Sequence, residues 1–467
     1  MLQMLRQRST RWLTLLAGLE VALLALCVRV AAHLRYIADA ATLAGFSEYL
    51  WPRSVLFALV LVVAMAALGL YQGHLRESWF GLLARQAVAF VLGGLALIII
   101  YYVLPPAYIG RTVFMPALAI GFVAVGLFRV GFTRLIDVDA LKRRILVLGA
   151  GRRAALIPQR MRRRADRRGF NIVGFVRMRE DVVAVPEDRL LALDGPLRIW
   201  AQRLQINEIV VGPDDRRGGS LPMEDLLDCK QAGIAVTDLA TFFERESGMV
   251  KLSLIDPSWL VFSDGFDSST LRLASKRLFD VSSALAVLAL AWPAMALVAL
   301  AIRLESGRGQ PILYRQERVG ERGRVFALTK FRSMRTDAEV DGVARWATRN
   351  DDRVTRVGRV IRKTRLDELP QLVNVLRGDM SLVGPRPERP QFVAELGQKI
   401  RYYNLRHCVK PGLAGWAQLR YPYGASEEDA YEKLKYDLFY VKNHNLLFDL
   451  LILIQTVEIV LFGRGAR

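Results

Sequence analysis

Two adjacent carboxylates, Asp367 and Glu368, are the residues of this chain best placed to do chemistry. Thr364 is a suitable helix N-cap, so the sequence predicts that both carboxylates lie in the first turn of a helix that ends at Gly378. Backbone N–H groups and the helix dipole stabilise anions there. The same segment carries several cations: Arg362, Lys363, Arg365, Arg377 and Arg386. Both carboxylates are therefore predicted to stay ionised, which suits nucleophilic attack or Mg2+ ligation better than proton donation.

Arg386 lies in a segment whose backbone is restricted by Gly384, Pro385 and Pro387. Because proline fixes its own φ angle, this segment predicts a rigid turn that aims the guanidinium group. The alternative is that Asp367 and Glu368 only cap a helix and pair with nearby arginines, as surface carboxylates usually do. The rigid turn favours a built anion site, since a solvated arginine needs no such restraint.

Three motifs resemble the bacterial sugar transferase family, whose members are polyprenyl-phosphate phosphoglycosyltransferases: KFRSM, RLDELPQLVNVLRGDMSLVGPRP and KPGLAGWAQLRY. The resemblance covers Ser275 to Gly463. It implies transfer of a sugar 1-phosphate from a UDP-sugar to polyprenyl (undecaprenyl) phosphate, with release of UMP. It further implies a covalent phosphosugar-aspartate intermediate, Mg2+ as cofactor, and a place at the start of exopolysaccharide or other surface glycan synthesis.

The resemblance also implies roles for single residues. Asp367 is expected to be the nucleophile, and Glu368 to bind Mg2+ or position the acceptor, so that both carboxylates are candidate Mg2+ ligands. Further residues are expected to bind the substrate phosphates or the nucleotide: Lys330, Arg332, Arg362, Arg365, Arg386 and Arg406.

Composition indicates a membrane protein. Of the 467 residues, 52% are hydrophobic, and the formal net charge is +20. This charge fits an anionic membrane surface or phosphorylated substrates, and the absence of a recognised nucleic-acid module argues against a nucleic-acid partner. Three widely spaced cysteines, Cys27, Cys229 and Cys408, predict reduced thiols and argue against a zinc site or a disulfide framework.

Four apolar stretches, at residues 12–32, 54–71, 82–104 and 112–132, predict a transmembrane bundle within residues 1–135. Glu20 in the first stretch is expected to face another helix or the membrane interface. Basic residues before the first stretch and after the fourth predict that both ends lie on the cytoplasmic side. The resemblance implies that the membrane is the bacterial inner membrane.

Residues 141–245 change to an α/β pattern, which predicts a Rossmann-like, doubly wound domain. Gly149, Gly151 and Ala154 form a GxGxxA turn between a strand and a helix. A dinucleotide site usually has an acidic residue at the end of the second strand, but Arg177 occupies that position. Two readings stay open: a vestigial or working nucleotide turn, and a regulatory or homo-oligomerisation module.

Residues 246–274 resemble the linker of the exopolysaccharide-associated subgroup, and residues 275–467 are expected to form the catalytic domain. The apolar run at 278–303 has basic residues on both flanks, so the positive-inside rule favours a re-entrant helix over a fifth span. Pro293 is expected to break the helix at the bend, although Trp292 precedes it where the family usually has serine. The tail, residues 432–462, is expected to lie on the membrane with Lys433, Lys435 and Lys442 toward the headgroups.

The sequence thus predicts an α/β membrane protein with a four-helix transmembrane bundle, a Rossmann-like domain and a catalytic domain with a re-entrant helix. One alternative is a membrane-anchored, NAD-dependent nucleotide-sugar dehydratase or epimerase. Its Tyr-x-x-x-Lys pair is found only at Tyr431 and Lys435, far beyond the Rossmann-like domain, which argues against it. A non-catalytic membrane scaffold is the second alternative.

Overall fold

A computed structural model gives the structure of the chain. It describes residues 8–37, 50–68, 70–71, 79–135, 142–161, 169–178, 181–214, 221–255, 269–307, 309–336, 353–421 and 426–462. The chain divides into two compact units, Met1–Ser247 and Gly248–Arg467. Much of the predicted linker, residues 256–268, lies outside the described residues.

The first unit begins with apolar helices in the regions where the sequence predicts membrane spans. These are α1 (Arg8–Arg35), α2 (Leu50–Ala67), α3 (Trp79–Val103) and α4 (Arg111–Leu135). Each contains 18 to 22 residues that are apolar enough to cross a bilayer. The helices are confirmed, and their crossing of a membrane stays a prediction from length and composition.

A buried ion pair joins the first and fourth of these helices. Arg129 donates from Nε to Glu20 Oε1 at 2.6 Å and from Nη2 to Glu20 Oε2 at 2.8 Å. The hydroxyl of Tyr71 donates to the same carboxylate, and its ring lies 5.0 Å from the guanidinium carbon. Glu20 is fully buried, so it faces other helices, as expected from the sequence.

A five-stranded parallel sheet follows in the first unit, with the order β3-β2-β1-β4-β5. Its strands are β1 (Arg143–Leu148), β2 (Phe170–Val176), β3 (Leu190–Leu191), β4 (Glu208–Val211) and β5 (Ala235–Asp238). The accompanying helices are α5 (Arg152–Arg160), α6 (Leu197–Arg203), α7 (Met223–Gln231) and α8 (Leu239–Ser247). The strand order reverses beside β1, which confirms the predicted doubly wound topology.

The centre of this sheet is apolar because helices cover both faces of a parallel sheet. Ile145, Leu146, Val147 and Leu148 of β1 expose at most 1% of their surface. A continuous apolar run of this kind, rather than an alternating one, is what a central parallel strand requires. The strand ends at Leu148, and Gly149, with a φ of 123°, begins the turn toward α5.

The second unit begins with the long helix α9 (Thr270–Ser306), which has 37 residues. The expected helix break at Pro293 is wrong, because the helix continues through this residue. Proline removes a single N–H group, and a long apolar helix tolerates that loss.

The two ends of α9 contact the same unit. Near its start, Arg277 donates to the carbonyl of Val375 at 2.6 Å, and near its end Ile302 packs in a buried cluster with Phe331. The middle exposes large apolar side chains, such as Leu290 at 83%. A re-entrant path within residues 278–303 stays a prediction with which these contacts agree.

The rest of the second unit is a small α/β domain. An antiparallel hairpin comes first, β6 (Leu313–Val319) and β7 (Val325–Phe331), and a short parallel pair lies further on, β8 (Ser381–Val383) and β9 (Gly412–Ala414). The helices are α10 (Arg356–Lys363), α11 (Gln371–Arg377), α12 (Pro390–Lys399), α13 (Trp416–Arg420), α14 (Glu427–Asn443) and α15 (Leu446–Phe462).

Helix α14 is a core helix of this domain. It begins with a capping box formed by Ser426 and Asp429, and it buries Leu438 and Tyr440 in the main apolar cluster. The expectation that its lysines face lipid headgroups is wrong for Lys435 and Lys442, which are each only 6% exposed. The long apolar stems of these lysines pack against the domain, and a periodic charge pattern alone does not reveal this burial.

Candidate functional site

The carboxylate pair lies in a short turn between two helices. Thr364 ends α10 as its C-cap, so the predicted N-cap role of Thr364 is wrong, and Thr355 caps that helix instead. The Thr364 hydroxyl donates back to the carbonyl of Val360 at 2.9 Å, so it is not available to cap the turn that follows. Arg365 then reverses the chain with a φ of 59°, in the left-handed region.

A single 3-10 turn, Leu366–Glu368, carries the two carboxylates, and α11 begins only after Pro370. Proline has no N–H to donate, so the 3-10 turn and α11 remain separate elements. Gly378 ends α11 with a φ of 95°, as predicted.

Glu368 is held by two arginines. Arg386 donates from Nη2 to Glu368 Oε1 at 3.1 Å, and Arg365 donates from Nη1 to the same oxygen at 3.3 Å. Burial alone would raise the pKa of Glu368, but the positive charges of Arg386 and Arg365 outweigh burial and lower it. Glu368 is therefore ionised at neutral pH, as the sequence predicts.

Asp367 has a different environment. It is 8% exposed, and its Oδ1 atom is buried without a hydrogen-bond partner among the described residues. Burial and the adjacent Glu368 carboxylate raise the pKa of Asp367 to about 6, against the opposing effect of Lys330 and two arginines. The expectation that the cations dominate is wrong for this residue. Asp367 is nevertheless mostly ionised at pH 7, with one oxygen free.

Lys330 belongs to the same charge cluster. It lies on β7 opposite Tyr314 of β6, and its Nζ atom is 5.3 Å from the Tyr314 ring centroid. Burial and the neighbouring Arg318 lower the pKa of Lys330 to about 8, while Asp367 opposes this effect. The structure thus brings Lys330, Asp367 and Arg386 together, as the motifs imply.

Arg318 is a cation of this site that the motifs do not reveal. It donates from Nη1 to the carbonyl of Pro387 at 3.1 Å and lies 3.6 Å from Glu388 Oε2. The alternation of side chains along a strand could have indicated Arg318. Tyr314 and Arg318 are four residues apart on β6, so they share the face that bears Lys330.

Backbone hydrogen bonds hold the segment that carries Arg386, in agreement with the predicted restraint of this segment. The carbonyl of Pro385 accepts from the Gly412 amide at 2.9 Å, and the Gly384 amide donates to the carbonyl of Ala414 at 2.9 Å. A Cβ atom on Gly384 would lie 2.3 Å from the carbonyl oxygen of Lys410. Only glycine therefore permits this close approach of two backbones, and it keeps the turn beside the carboxylates.

Arg406 has a different position from the one expected for a phosphate-binding residue. It is 6% exposed and donates from Nη2 both to Asp437 Oδ2 at 2.8 Å and to the carbonyl of Arg386 at 3.0 Å. Its Nη1 atom donates to the Tyr403 hydroxyl at 2.8 Å. The Nη1 and Nη2 atoms of Arg406 thus donate inside the protein and support the turn that carries Arg386, while its Nε atom is buried without a hydrogen-bond partner among the described residues.

Arg332 and Arg362 also lie apart from the carboxylates. Arg332 is buried and donates from Nη1 to Gln310 Oε1 at 3.2 Å. Arg362 lies in the last turn of α10. Among the described residues, neither arginine makes a hydrogen bond or an ion pair with Asp367 or Glu368. The expected phosphate contacts of these two residues stay predictions without support from the geometry.

The two carboxylates fit a magnesium ion in part. Among the described residues, no group of three or more metal-ligating side chains is present. Mg2+ usually binds one or two carboxylates and completes its shell with substrate phosphates and water. Asp367, with its unpaired Oδ1, and Glu368 supply such a pair, so a metal here would need the diphosphate of a substrate as a further ligand.

The GxGxxA turn of the first unit is filled by the protein itself. Asp214 accepts from the backbone amides of Arg152 at 2.9 Å and Arg153 at 2.8 Å, at the start of α5. A Cβ atom on Gly151 would lie 2.2 Å from Asp214 Oδ2. The carboxylate thus occupies the place where a dinucleotide phosphate would bind, which disfavours the NAD-dependent alternative. A regulatory or oligomerisation role for this domain stays a prediction.

Comparison with known proteins identifies relatives of this chain. Residues 271–463 match the sequence profile of the family described as bacterial sugar transferase. A UDP-N-acetylgalactosamine-undecaprenyl-phosphate N-acetylgalactosaminephosphotransferase from Aeromonas hydrophila is 41% identical over 242 residues, which are 52% of this chain and 56% of the relative. A UDP-glucose:undecaprenyl-phosphate glucose-1-phosphate transferase from Xanthomonas campestris pv. campestris is 33% identical over 306 residues, 64% of this chain and 62% of the relative.

A shorter relative is covered almost completely. The exopolysaccharide production protein PSS from Rhizobium leguminosarum bv. phaseoli is 40% identical over 191 residues, 40% of this chain and 94% of the relative. The chain spans just over half the length of the Aeromonas relative, by contrast, at 56%. The similarity to PSS thus extends over nearly the whole of that protein.

Proposed function

Since the chain belongs to the bacterial sugar transferase family, we propose that it transfers a sugar 1-phosphate from a UDP-sugar to polyprenyl phosphate and releases UMP. The observation that carries this proposal is the buried Oδ1 atom of Asp367, which has no hydrogen-bond partner among the described residues and lies within the electrostatic influence of Lys330 and Arg386. A carboxylate oxygen without a hydrogen bond, in a cationic pocket, is suited to attack phosphorus. The product would initiate exopolysaccharide or another surface glycan.

The proposed reaction has two steps at one carboxylate. In the first, an Asp367 oxygen forms a bond to the β-phosphorus, the bond from this phosphorus to the bridging oxygen breaks, and UMP leaves with the electron pair. In the second, a phosphate oxygen of the polyprenyl phosphate attacks the phosphosugar-aspartate and releases Asp367. Neither step needs a proton from the enzyme. The soluble donor and the lipid acceptor therefore need not bind at the same moment.

The surrounding residues stabilise charge in this scheme. Lys330 and Arg386 balance the negative charge that develops on the departing UMP, and Glu368 orients Arg386 through their ion pair. Mg2+, held by Asp367 or Glu368 together with the diphosphate, would neutralise phosphate charge when bound.

The proposed location is the bacterial inner membrane, with the catalytic unit on its cytoplasmic face. Support comes from the apolar helices of the chain and from basic residues at the ends of their apolar stretches, such as Arg277 and Arg303 near the two ends of α9. A site at the membrane surface suits a reaction between a water-soluble donor and a lipid acceptor.

UMP release tests the proposal. The purified chain is incubated with polyprenyl phosphate, Mg2+ and a panel of UDP-sugars that includes UDP-glucose and UDP-N-acetylgalactosamine, because both sugars occur in the names of relatives. We expect release with at least one donor, and none from Asp367→Asn. Equal release from Asp367→Asn would overturn the assignment of the nucleophile, and no release with any donor would overturn the proposed reaction.

A further inference from the structure

Asn374 of α11 is fully buried, at 0% exposure, and its amide pairs with the edge of β7. Its Oδ1 atom accepts from the backbone amide of Thr329 at 3.1 Å, and its Nδ2 atom donates to the carbonyl of Ala327 at 2.9 Å. The N–H of one strand residue and the C=O two residues earlier face the same strand edge. The side-chain amide of Asn374 thus replaces a neighbouring strand on the side of β7 that is opposite β6.

The backbone and side chain of Asn374 also hold the turn after α11. Its carbonyl oxygen accepts from the amides of Gly378 and Asp379 at 3.1 Å each and from Met380 at 3.3 Å. Its Nδ2 atom also donates to Asp379 Oδ2 at 3.2 Å. This turn leads into β8 and then into the rigid segment that carries Arg386.

Asn374 is therefore linked to three parts of the site, by hydrogen bonds to β7 and to the turn after α11 and through its own helix to the carboxylate turn. Lys330 follows Thr329 on β7, the carboxylate turn comes directly before α11, and the Arg386 segment follows the turn that Asn374 closes. We propose that Asn374 is a positioning residue, which fixes Lys330 and the Arg386 segment relative to Asp367 and Glu368. The role of Lys330 in this inference rests on the proposed function.

The chemistry of the amide matters because the strand edge offers one donor and one acceptor. An apolar residue at position 374 would leave the Thr329 N–H and the Ala327 carbonyl buried without partners. Aspartate would accept from Thr329 but would offer nothing to Ala327. Glutamine keeps the amide donor and acceptor but moves them by the length of one methylene. Asn374→Gln therefore tests whether the position of the amide matters when its chemistry is retained.

A mutant cycle distinguishes positioning from a general loss of stability. In the otherwise native chain, we expect Asn374→Ala and Asn374→Gln to lower kcat/KM for the UDP-sugar by about 10- to 100-fold, since a small displacement of a catalytic group has effects of that size. In a Lys330→Ala, Arg386→Ala background, which lacks both groups that Asn374 is proposed to fix, the same changes are expected to lower it less than about threefold. Equal losses in both backgrounds would overturn the proposal.

Asn443→Ala is the matched control in the same unit. The Nδ2 atom of Asn443 donates to the carbonyl of Phe439 at 3.1 Å, a bond within α14. We expect kcat/KM of this variant to stay within about twofold of the native value. A loss as large as that of Asn374→Ala would show that removing any asparagine of this unit impairs the enzyme, and it would contradict a specific role.

Hydrogen exchange tests the inference without catalysis. In Asn374→Ala and Asn374→Gln, the amides of β7 should exchange faster than in the native chain, because Thr329 loses its acceptor or has it displaced, while those of β1 should not change. Unchanged exchange in β7 would overturn the inference. If the native chain releases no UMP, the proposed function fails, and the exchange result still decides whether Asn374 holds the strand.

Discussion

The Nη2 atom of Arg386 lies 3.1 Å from the Oε1 atom of Glu368. This contact gives two carboxylates that are adjacent in the sequence different environments. Glu368 forms ion pairs with Arg365 and Arg386, whereas Asp367 has an oxygen without a hydrogen bond among the described residues. In the proposed reaction, Glu368 therefore orients Arg386, and Asp367 attacks phosphorus.

Removing the Arg386 side chain should slow the reaction strongly. We expect Arg386→Ala to lower kcat/KM for UMP release by about 100-fold, because the loss of one preorganised donor to a developing anion has an effect of this order. Arg386→Lys should recover only part of the loss, since lysine lacks the planar fork. Arg359→Ala, at an exposed position of α10, is the control and should remain close to native. A loss below about threefold in Arg386→Ala would contradict the role.

The pH dependence of kcat/KM should be bell-shaped. Asp367 acts in its deprotonated form, so the value should rise as pH increases through about 6, the pKa to which burial and Glu368 raise this carboxyl. Lys330 acts in its protonated form, so the value should fall as pH increases through about 8, the pKa to which burial and Arg318 lower this amine. The measurement is UMP release at low UDP-sugar concentration, which reports the free enzyme.

The control for the alkaline limb is Lys330→Arg. Arginine keeps its proton at every pH of the assay, so the fall near pH 8 should disappear while the acidic limb remains. If the alkaline limb persists in Lys330→Arg, another group is responsible for it, and the assignment of Lys330 is wrong.

The central part of the site follows from the sequence because it is encoded locally. The Asp367–Glu368 pair and the proline-flanked Arg386 are close in the chain, and glycine and proline restrict the backbone between them. Lys330 is predicted from the resemblance of its motif to the family. The position of Arg406 cannot be predicted in the same way, because Arg406 pairs with Asp437, which lies 31 residues further along the chain.

In the fold, too, features encoded by neighbouring residues can be predicted from the sequence, and features that depend on distant residues cannot. Apolar runs predict the helices of the first unit, whose length and composition suit a bilayer, and the central strands of its sheet, which are buried between helices. The filled turn at Gly151 has no local signal, because Asp214 reaches it from a loop after β4. The continuous helix through Pro293 departs from the prediction, because the apolar length of α9 outweighs the local effect of one proline.

The filled turn predicts that the first unit has no dinucleotide affinity. NAD should not raise the thermal unfolding temperature of the native chain, because Asp214 already binds the amides of Arg152 and Arg153. Asp214→Ala should lower the free energy of unfolding of this unit by about 1 kcal/mol, as the loss of a helix cap does. UMP release should stay unchanged. Stabilisation of the native chain by NAD would contradict this interpretation.

The Glu20–Arg129 pair is predicted to be important for the stability of the apolar helices. Glu20→Gln removes the negative partner and leaves Arg129 with an uncompensated charge in a buried setting. We expect the free energy of unfolding to fall by about 3–5 kcal/mol, the usual effect of breaking a buried ion pair. Thermal unfolding of the detergent-purified chain, monitored by tryptophan fluorescence, measures the change.

Glu395→Gln provides the comparison, because it removes a carboxylate from an exposed pair with Lys399. An exposed pair contributes little, so this variant should change the free energy of unfolding by less than about 1 kcal/mol. The double variant Glu20→Leu with Arg129→Leu should recover much of the loss, since it leaves no charge of this pair buried. A loss for Glu20→Gln no larger than that for Glu395→Gln would show that the buried pair does not hold these helices together.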